Sequence, residues 1–189
     1  MNFLAHLYLS GTNEKILVGN FIGDYVKGRK YKTYEKAIQE GILMHRRIDT
    51  FTDTHPKFRA SKKPFIPEFG LYSGIIIDLV FDHFLAKNWS RFSTQTLHKY
   101  TNWAHSVLLS NFVSLPLKVQ TFLPFIIQNR RLESYATVNG IQKSLEIMGR
   151  RSSLPQKSVE AIRIMESNIT FLEQNFFDFM DDIRDEFLL

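Results

Sequence analysis

The sequence predicts an all-α protein folded as one domain. Apolar residues recur at steps of three and four along most of the 189-residue chain, which is the period of helices with one buried face. No stretch alternates apolar and polar residues between turn signals, as paired strands do. Internal repeats and flexible linkers are also absent, and the length is that of one domain. We therefore expect a single compact helical domain over residues 1–189.

Helix-breaking residues set the limits of the predicted helices. Gly28 and Pro56 end the first two, and Trp89 ends the third. Pro116 suits the first position of a later helix, and Ser153 suits the N-cap of the last one. The predicted helices are 13–27, 33–54, 69–88, 93–111, 116–127, 138–149 and 155–187.

The region between the second and third helices is predicted to be a loop. Pro64, Pro67 and Gly70 fall close together there, and such residues favour turns, so residues 59–69 are expected to be irregular. The last helix instead alternates apolar and charged positions and ends in an acidic tail. It is expected to be a scaffold element, with the 17 Phe residues filling the core.

Composition restricts the classes of protein and of site. The first residues lack the basic start and cleavage pattern of a signal peptide, and no apolar run approaches the roughly 20 residues of a bilayer span. We therefore expect a soluble, cytoplasmic protein. The sequence contains no cysteine, which excludes disulfides and thiolate ligands or nucleophiles. Any metal is then expected to be held by oxygen and imidazole.

The net charge of +5 is concentrated near the start of the chain. Residues 1–63 carry twelve Lys/Arg against six Asp/Glu, whereas residues 64–189 carry twelve against thirteen. A positive surface attracts nucleic acid, anionic lipid or an acidic protein, and it is also compatible with a merely solvated face. The basic residues form two clusters, Lys27, Arg29, Lys30 and Lys32, and Lys57, Arg59, Lys62 and Lys63.

The third predicted helix carries charge inside an apolar segment. Residues 74–85 are apolar on nearly every face, which indicates a buried helix, yet they include Asp78, Asp82 and His83. Asp78 and Asp82 are one turn apart and project from the same face. Two buried carboxylates need a hydrogen bond, a cation or a metal. An ion pair to an arginine of a neighbouring helix meets that need as well as a metal does.

The second predicted helix offers a complementary polar stripe. His45, Asp49 and Asp53 lie at positions i, i+4 and i+8, so they share one face. An imidazole and a carboxylate one turn apart suit Mn, Fe, Mg or Zn. Such a pair on an exposed helix is usually only a hydrogen bond. A second carboxylate-rich helix in the same small domain, which also needs a charge partner, favours the metal.

Two further candidate ligands lie earlier in the chain. Asp24 belongs to an apolar segment in which Gly19 and Gly23 permit close approach of another backbone. His6 stands alone in the apolar N-terminal segment, where a satisfied core histidine is the commoner outcome. Both are retained as candidates for the same site.

Arg46 and Arg47 adjoin the proposed ligands. A guanidinium binds phosphate oxygens through two parallel hydrogen bonds, although both arginines are equally suited to neutralise Asp78 or Asp82. The chain has no Gly-rich phosphate loop, no Gly-x-Ser-x-Gly elbow and no cysteine nucleophile. Metal-activated water is therefore the expected nucleophile.

As a set, these motifs resemble the bacterial acyl carrier protein phosphodiesterases. The resemblance is dense over residues 1–90 and loose afterwards. It implies a divergent all-α HD-domain phosphohydrolase that hydrolyses the phosphodiester between 4′-phosphopantetheine and a serine of holo acyl carrier protein. Manganese is the implied metal, with Mg²⁺ or Fe²⁺ as alternatives. The matching stretches are residues 1–7, 19–24, 41–49 with 52–53, and Asp78 followed by 81–85.

The resemblance also implies roles for individual residues. The ordinary HD signature reads His-Asp, whereas the adjacent pair here is Asp82-His83, so ordinary HD ligand assignments do not transfer. The expected metal ligands are His6, Asp24, His45, Asp49, Asp78, Asp82 and His83, with Asp53 in reserve. The expected catalytic residues are His45, Arg46, Asp49, Asp82 and His83, and the expected substrate-binding residues are Lys27, Arg29, Lys30, Arg46 and Arg47.

The basic N-terminal part suits an acidic protein partner such as holo acyl carrier protein, and no nucleic acid is expected. Two other functions fit the same residues. One is another HD-type phosphohydrolase that acts on nucleotides or small phosphodiesters. The other is a non-catalytic helical binding protein whose buried charges are only ion pairs.

Overall fold

The computed structural model describes residues 2–188, and within that range it consists of helices and turns without strands. The all-α prediction is thereby confirmed. The α-helices are α1 (Phe3–Leu9), α2 (Glu14–Ile22), α3 (Lys36–Thr54), α4 (Pro56–Lys62), α5 (Ile66–Phe69), α6 (Ser73–Lys87), α7 (Leu97–Ser110), α8 (Leu117–Gln128), α9 (Arg131–Ser134), α10 (Val138–Arg151), α11 (Ser158–Ser167) and α12 (Ile169–Phe187). Short 3₁₀ segments occupy Gly23–Tyr25, Gly28–Thr33, Lys63–Phe65, Gly70–Tyr72, Trp89–Arg91 and Phe112–Ser114.

The N-terminal region contains a helix that the sequence did not predict. Asn2 caps α1, since its side-chain oxygen accepts a hydrogen bond from the Phe3 amide at 2.9 Å. Asn13 caps α2 in the same way. The predicted helix over 13–27 ends earlier, at Ile22, because the chain tightens into a 3₁₀ turn there. This turn places Asp24 at the end of α2 rather than within it.

Residues 59–69 are helical, so the predicted loop was wrong. Pro64 and Pro67 each lie in the first turn of a short helical segment. A proline is well tolerated there, because the first turn has no helical acceptor for its missing N–H. Both prolines therefore lie at the start of a helical segment, where turns had been predicted.

The last predicted helix is two helices. Asn168 separates α11 from α12, and its side-chain amide donates to the Ile164 carbonyl at 2.9 Å. Such bonds between side chain and backbone compete with the helical ladder. The helix also starts later than predicted, at Ser158 with Lys157 at the N-cap, so Ser153 is not a cap.

Helix α6 forms the centre of the domain, as its apolar composition predicted. Ile77, Leu79 and Leu85 are 0% exposed although they lie on different faces of the helix. By length and composition alone, the helical stretch Pro56–Lys87 meets the requirement of a membrane span, with a mean hydropathy of 1.5. No such run was expected from the sequence. Because 67% of its apolar window is buried inside the protein, a core helix accounts for it.

Helices α2 and α3 pack with their backbones in contact at two glycines. A Cβ atom added to Gly19 would lie 2.9 Å from the Gly41 Cα, and it would collide with the Ile38 carbonyl oxygen. Any larger residue would force the helices apart. This contact sets the end of α2 beside the middle of α3, where the sequence placed its candidate ligands.

Enlarging Gly41 should destabilise the protein. A Gly41→Ala methyl would collide with the Ile16 carbonyl, and overpacking of this kind costs about 1–3 kcal/mol of the free energy of unfolding. The control is Gly74→Ala, because a Cβ there meets only the Lys62 Cδ, at 3.9 Å. That change should raise the free energy of unfolding by up to about 1 kcal/mol. Urea unfolding measures both, and equal stability of the two variants would contradict the packing described.

Candidate metal centre

Three ligand-type side chains converge where α1 meets α3. The Nε2 atom of His6, from α1, lies 3.2 Å from Oδ1 of Asp49. The Nε2 atom of His45 lies 3.1 Å from Oδ2 of the same carboxylate. The two imidazole rings stack with their centroids 4.0 Å apart. One ligand atom of each residue lies within 4.8 Å of the others, close enough for all three to bind one divalent ion.

Asp24 adds a carboxylate at the edge of this cluster. Its Oδ1 lies 3.5 Å from His45 Nε2, and its side chain is 66% exposed. The glycine before it makes this possible, because a Cβ on Gly23 would collide with the His45 ring. The close approach predicted for this segment is therefore made by the His45 ring, which leaves no room for a side chain at Gly23.

Asn20 orients both histidines, a role that the sequence analysis missed. Its side-chain Oδ1 lies 2.8 Å from His6 Nδ1, and its backbone carbonyl lies 2.8 Å from His45 Nδ1. A carbonyl oxygen only accepts, so each Nδ1 carries the proton and donates it. In the neutral imidazoles the lone pair then resides on Nε2, facing Asp49. The only signal in the sequence was a polar residue on an apolar helix, one turn before Asp24.

The donor set fits a divalent cation. Within residues 2–188, the buried Nε2 atoms of His6 and His45 face Asp49 without the alignment of a hydrogen bond. Metal sites commonly combine two imidazole nitrogens with a carboxylate. At such sites each imidazole is usually oriented by a hydrogen bond from its other ring nitrogen. This donor set suits Mn²⁺, Fe²⁺ or Zn²⁺ and does not distinguish among them.

The metal-free cluster is strongly polarised. Burial opposes charge on His45, but the carboxylates of Asp24 and Asp49 raise its pKa to about 9. Burial lowers the pKa of His6 to about 4, in spite of its contact with Asp49. Burial also opposes charge on Asp49, yet the two imidazoles hold the pKa of that carboxyl well below its usual range. At neutral pH the cluster therefore contains one charged and one neutral imidazole.

Asp82 binds the first turn of α1. Its two oxygens accept hydrogen bonds from the backbone amides of Leu4 and Ala5, at 2.9 Å and 3.0 Å. These amides have no acceptor within the helix, and the positive end of the helix dipole favours a carboxylate there. Burial nevertheless raises the pKa of Asp82 to about 7. The buried carboxylate thus holds the helix that carries His6.

The other two candidates on α6 point in different directions. Asp78 is half-buried, and burial raises its pKa, with the nearby charges of Asp49 and Asp53 adding to the rise. His83 turns away from the cluster, and its Nδ1 lies 2.7 Å from the Tyr135 carbonyl. The structure therefore does not bring Asp82 or His83 to the three convergent ligands. Their assignment as metal ligands stays a prediction.

The two arginines are engaged elsewhere. Arg46 donates to the carbonyls of Val26 and Gly28 at 2.8 Å and 2.9 Å. Arg47 pairs with Glu186 at 3.0 Å. In the described part of the chain neither arginine forms an ion pair with the α6 carboxylates. These hydrogen bonds instead hold the backbone of an exposed segment. That segment carries the predicted substrate-binding residues Lys27, Arg29 and Lys30.

A cavity of about 450 Å³ opens beside the cluster. One side is formed by ligand candidates, among them His6, Asp24 and His45. Many of the other lining residues belong to α8 and α10, from which no residue was selected on the sequence alone. No spacing within α8 or α10 signals a site, because the cavity exists only once distant helices are assembled.

Comparison with known proteins identifies relatives over nearly the whole chain. A family model described as acyl carrier protein phosphodiesterase matches residues 1–183. Proteins of that name from Serratia proteamaculans and an Enterobacter species are 34% and 31% identical, each over 95% of this chain and 93% of the relative. One from Yersinia pestis is 35% identical over 80% of this chain and 79% of the relative. No solved structure matches the chain, so the HD-domain likeness stays a prediction.

Removing the Asn20 side chain should weaken divalent-ion binding. Asn20→Ala frees the His6 ring to rotate and change tautomer, and loss of such a supporting contact typically lowers metal affinity 10–100-fold. Calorimetric titration with Mn²⁺ measures the effect. Asn175→Ala is the matched control, since Asn175 is also buried but contacts Ser61 at 3.3 Å. Equal Mn²⁺ affinity of the two variants would show that Asn20 does not support the site.

Divalent-ion binding should strengthen as the pH rises. The pKa of His45 is about 9 in the metal-free protein, so its imidazole must lose a proton before Nε2 can coordinate an ion. The Mn²⁺ affinity should therefore increase about tenfold per pH unit between about pH 6.5 and 8. His6 adds no such dependence, because its pKa of about 4 leaves it neutral there. Titrations in two buffers of different ionisation enthalpy should detect about one proton released per ion. Binding without proton release would contradict the protonation assigned to His45.

Proposed function

The chain belongs to the acyl carrier protein phosphodiesterase family, and we propose that it hydrolyses the phosphodiester between 4′-phosphopantetheine and a serine of holo acyl carrier protein. The products are apo acyl carrier protein and free 4′-phosphopantetheine. The observation that supports this reaction most directly is the convergence of His6, His45 and Asp49, two of which, His6 and His45, line a cavity. We propose the cytoplasm as its location, in keeping with a chain that lacks cysteine.

His6, His45 and Asp49 are the residues that would hold a divalent ion, with Asp24 and Asp78 close by. Mn²⁺ is the proposed ion, and Mg²⁺ and Fe²⁺ are alternatives. When bound, such an ion supplies Lewis acidity toward phosphate oxygens and lowers the pKa of water. The remaining chemistry belongs to side chains of this protein.

Asp24 is suited to accept a proton from the attacking water. The His45 imidazole keeps the pKa of Asp24 below its usual value, so the carboxylate is ionised at neutral pH. It also lines the cavity beside the cluster. The leaving serine oxygen needs a proton, which a histidine that is not bound to metal can donate. Of the two histidines expected to be catalytic, His45 lines this cavity, whereas His83 contacts the Tyr135 carbonyl. We assign that proton to His45 in any state in which its Nε2 is not coordinated.

The basic segment after α2 is suited to attract the carrier protein. Acyl carrier proteins are small and acidic, and Lys27, Arg29 and Lys30 are exposed shortly after Asp24 in the chain. Complementary charge of this kind accelerates association and orients the partner. Arg46 contributes by holding the backbone of this segment. We therefore propose an indirect role for Arg46 in substrate binding.

Asp49→Ala should abolish turnover while the fold persists. The change removes the carboxylate that both Nε2 atoms face, and loss of one such group at a reacting centre costs at least about 10²-fold in rate. Asp53→Ala is the matched control, because Asp53 is exposed one turn further along α3. It should retain activity within a few-fold.

The assay is intact-mass spectrometry of holo acyl carrier protein incubated with each protein and Mn²⁺. Loss of 4′-phosphopantetheine with wild type and Asp53→Ala, but not with Asp49→Ala, is the expected result. Full activity of Asp49→Ala would exclude the site. No loss with wild type would exclude the reaction, and a panel of nucleotide phosphodiesters would then test the alternative substrates.

A further inference from the structure

Helices α8 and α10 line one cavity with matching stripes. On α8 the lining residues include Lys118, Phe122 and Phe125, and on α10 they include Ile147 and Arg151. Steps of three, four and seven residues place such side chains on one helix face. Apolar stripes of this kind normally bury themselves against a neighbouring helix. Here both stripes line a space of about 450 Å³, which is within the range of small-molecule sites.

The cavity runs away from the proposed metal centre along α8. Phe122 lies close to the cluster, since its ring is 5.3 Å from that of Tyr25, the residue after Asp24. Phe125 lies almost one turn further along α8, which is about 4.5 Å along the axis. An elongated ligand can therefore extend from the cluster past both rings.

Three cations that form no ion pair within residues 2–188 line this apolar space. The guanidinium groups of Arg131 and Arg151 lie 5.3 Å and 5.7 Å from the centre of the Phe125 ring. Lys118 lies 5.6 Å from the centre of the Tyr25 ring. Among the described residues, no carboxylate lies within ion-pair distance of these three cations. Guanidinium and ammonium groups in such a position can donate to phosphate or amide oxygens of a ligand.

Size decides which half of a phosphodiester substrate enters. One side of the bond is a serine on the surface of a folded carrier protein, which is far too large for about 450 Å³. The other side is the pantetheine arm, a flexible chain with a branched apolar carbon, two amides and a terminal sulfur. Apolar walls with a few donors match such a chain.

We propose that this cavity binds the pantetheine arm, with Lys118 toward the phosphate, Phe122, Phe125 and Ile147 against the apolar carbons, and Arg131 and Arg151 donating to amide oxygens. The inference rests on the proposed function and adds its substrate-binding residues. It assigns arm recognition to the second half of the chain, whereas the basic segment after α2 serves the carrier protein.

Filling the cavity should weaken binding of the arm without affecting phosphate. In calorimetric titrations with Mn²⁺ present, Ile147→Trp should bind 4′-phosphopantetheine at least about tenfold more weakly than wild type. Its affinity for inorganic phosphate should stay within about twofold of wild type. Val113→Trp is the control, because Val113 is 91% exposed and lies outside the cavity, and it should change neither affinity.

A charge-reversal pair tests the same proposal without altering the core. Arg151→Glu should weaken binding of 4′-phosphopantetheine several-fold. Arg150→Glu, an exposed neighbour that does not line the cavity, should have little effect. This pair decides the question if Ile147→Trp fails to fold.

The possible results test the cavity assignment independently of the proposed reaction. Wild-type affinity for 4′-phosphopantetheine in Ile147→Trp and Arg151→Glu would overturn the cavity assignment, even if holo acyl carrier protein is hydrolysed normally. An equal loss of affinity for inorganic phosphate would also overturn it, because the change would then act at the metal centre. Selective loss of affinity for the arm would support the assignment, even if wild type failed to hydrolyse the carrier protein and the proposed reaction had to be abandoned.

Discussion

The hydrogen bonds of one buried asparagine hold the candidate site together. The Asn20 amide nitrogen donates to the His6 carbonyl and to Ser10 Oγ, at 2.8 Å and 2.9 Å. Its side-chain oxygen and its backbone carbonyl receive the Nδ1 protons of His6 and His45. Asn20 thereby links α1, α2 and α3 and fixes the tautomers of both imidazoles. The close contact of Gly19 with Gly41 brings α3 near enough for this to happen.

The site brings the carboxylates of Asp49 and Asp78 close to one another. Asp49 and Asp78 lie close enough for the charge of Asp49 to raise the pKa of Asp78, and buried like charges destabilise the folded state. Asp82 differs, because the first turn of α1 satisfies both of its oxygens. A divalent cation between His6, His45 and Asp49 would offset the repulsion. On this account the metal-free protein is less stable than the loaded one.

The sequence was informative where spacing along one helix decides geometry. His45 and Asp49 were identified because a four-residue step places them on one face of α3 whatever surrounds it. The burial of α6 followed equally from its composition. His6 is different, since its place beside Asp49 depends on how α1 docks, and a lone histidine carries no such information. The same holds for Arg131 and Arg151, which line a cavity that only the assembled helices create.

For Asp82, the sequence indicated that a buried carboxylate needs a partner but did not indicate which one. A buried carboxylate requires a hydrogen bond, a cation or a metal, and the sequence suggested an arginine or a metal as that partner. The structure supplies two backbone amides at the start of α1, a helix that the sequence did not reveal. The prediction of a loop over 59–69 was wrong for a related reason. A proline in the sequence can mark either the first turn of a helix or a turn, and its position alone does not distinguish the two.

The most direct test of this account is anomalous diffraction at the manganese edge from crystals grown with Mn²⁺. We expect a single strong peak between His6 Nε2, His45 Nε2 and the Asp49 carboxylate, with both Nδ1 atoms still hydrogen-bonded to Asn20. A peak coordinated by Asp82 and His83 instead would contradict it, as would the absence of a peak at the His6–His45–Asp49 cluster in crystals grown at a saturating Mn²⁺ concentration.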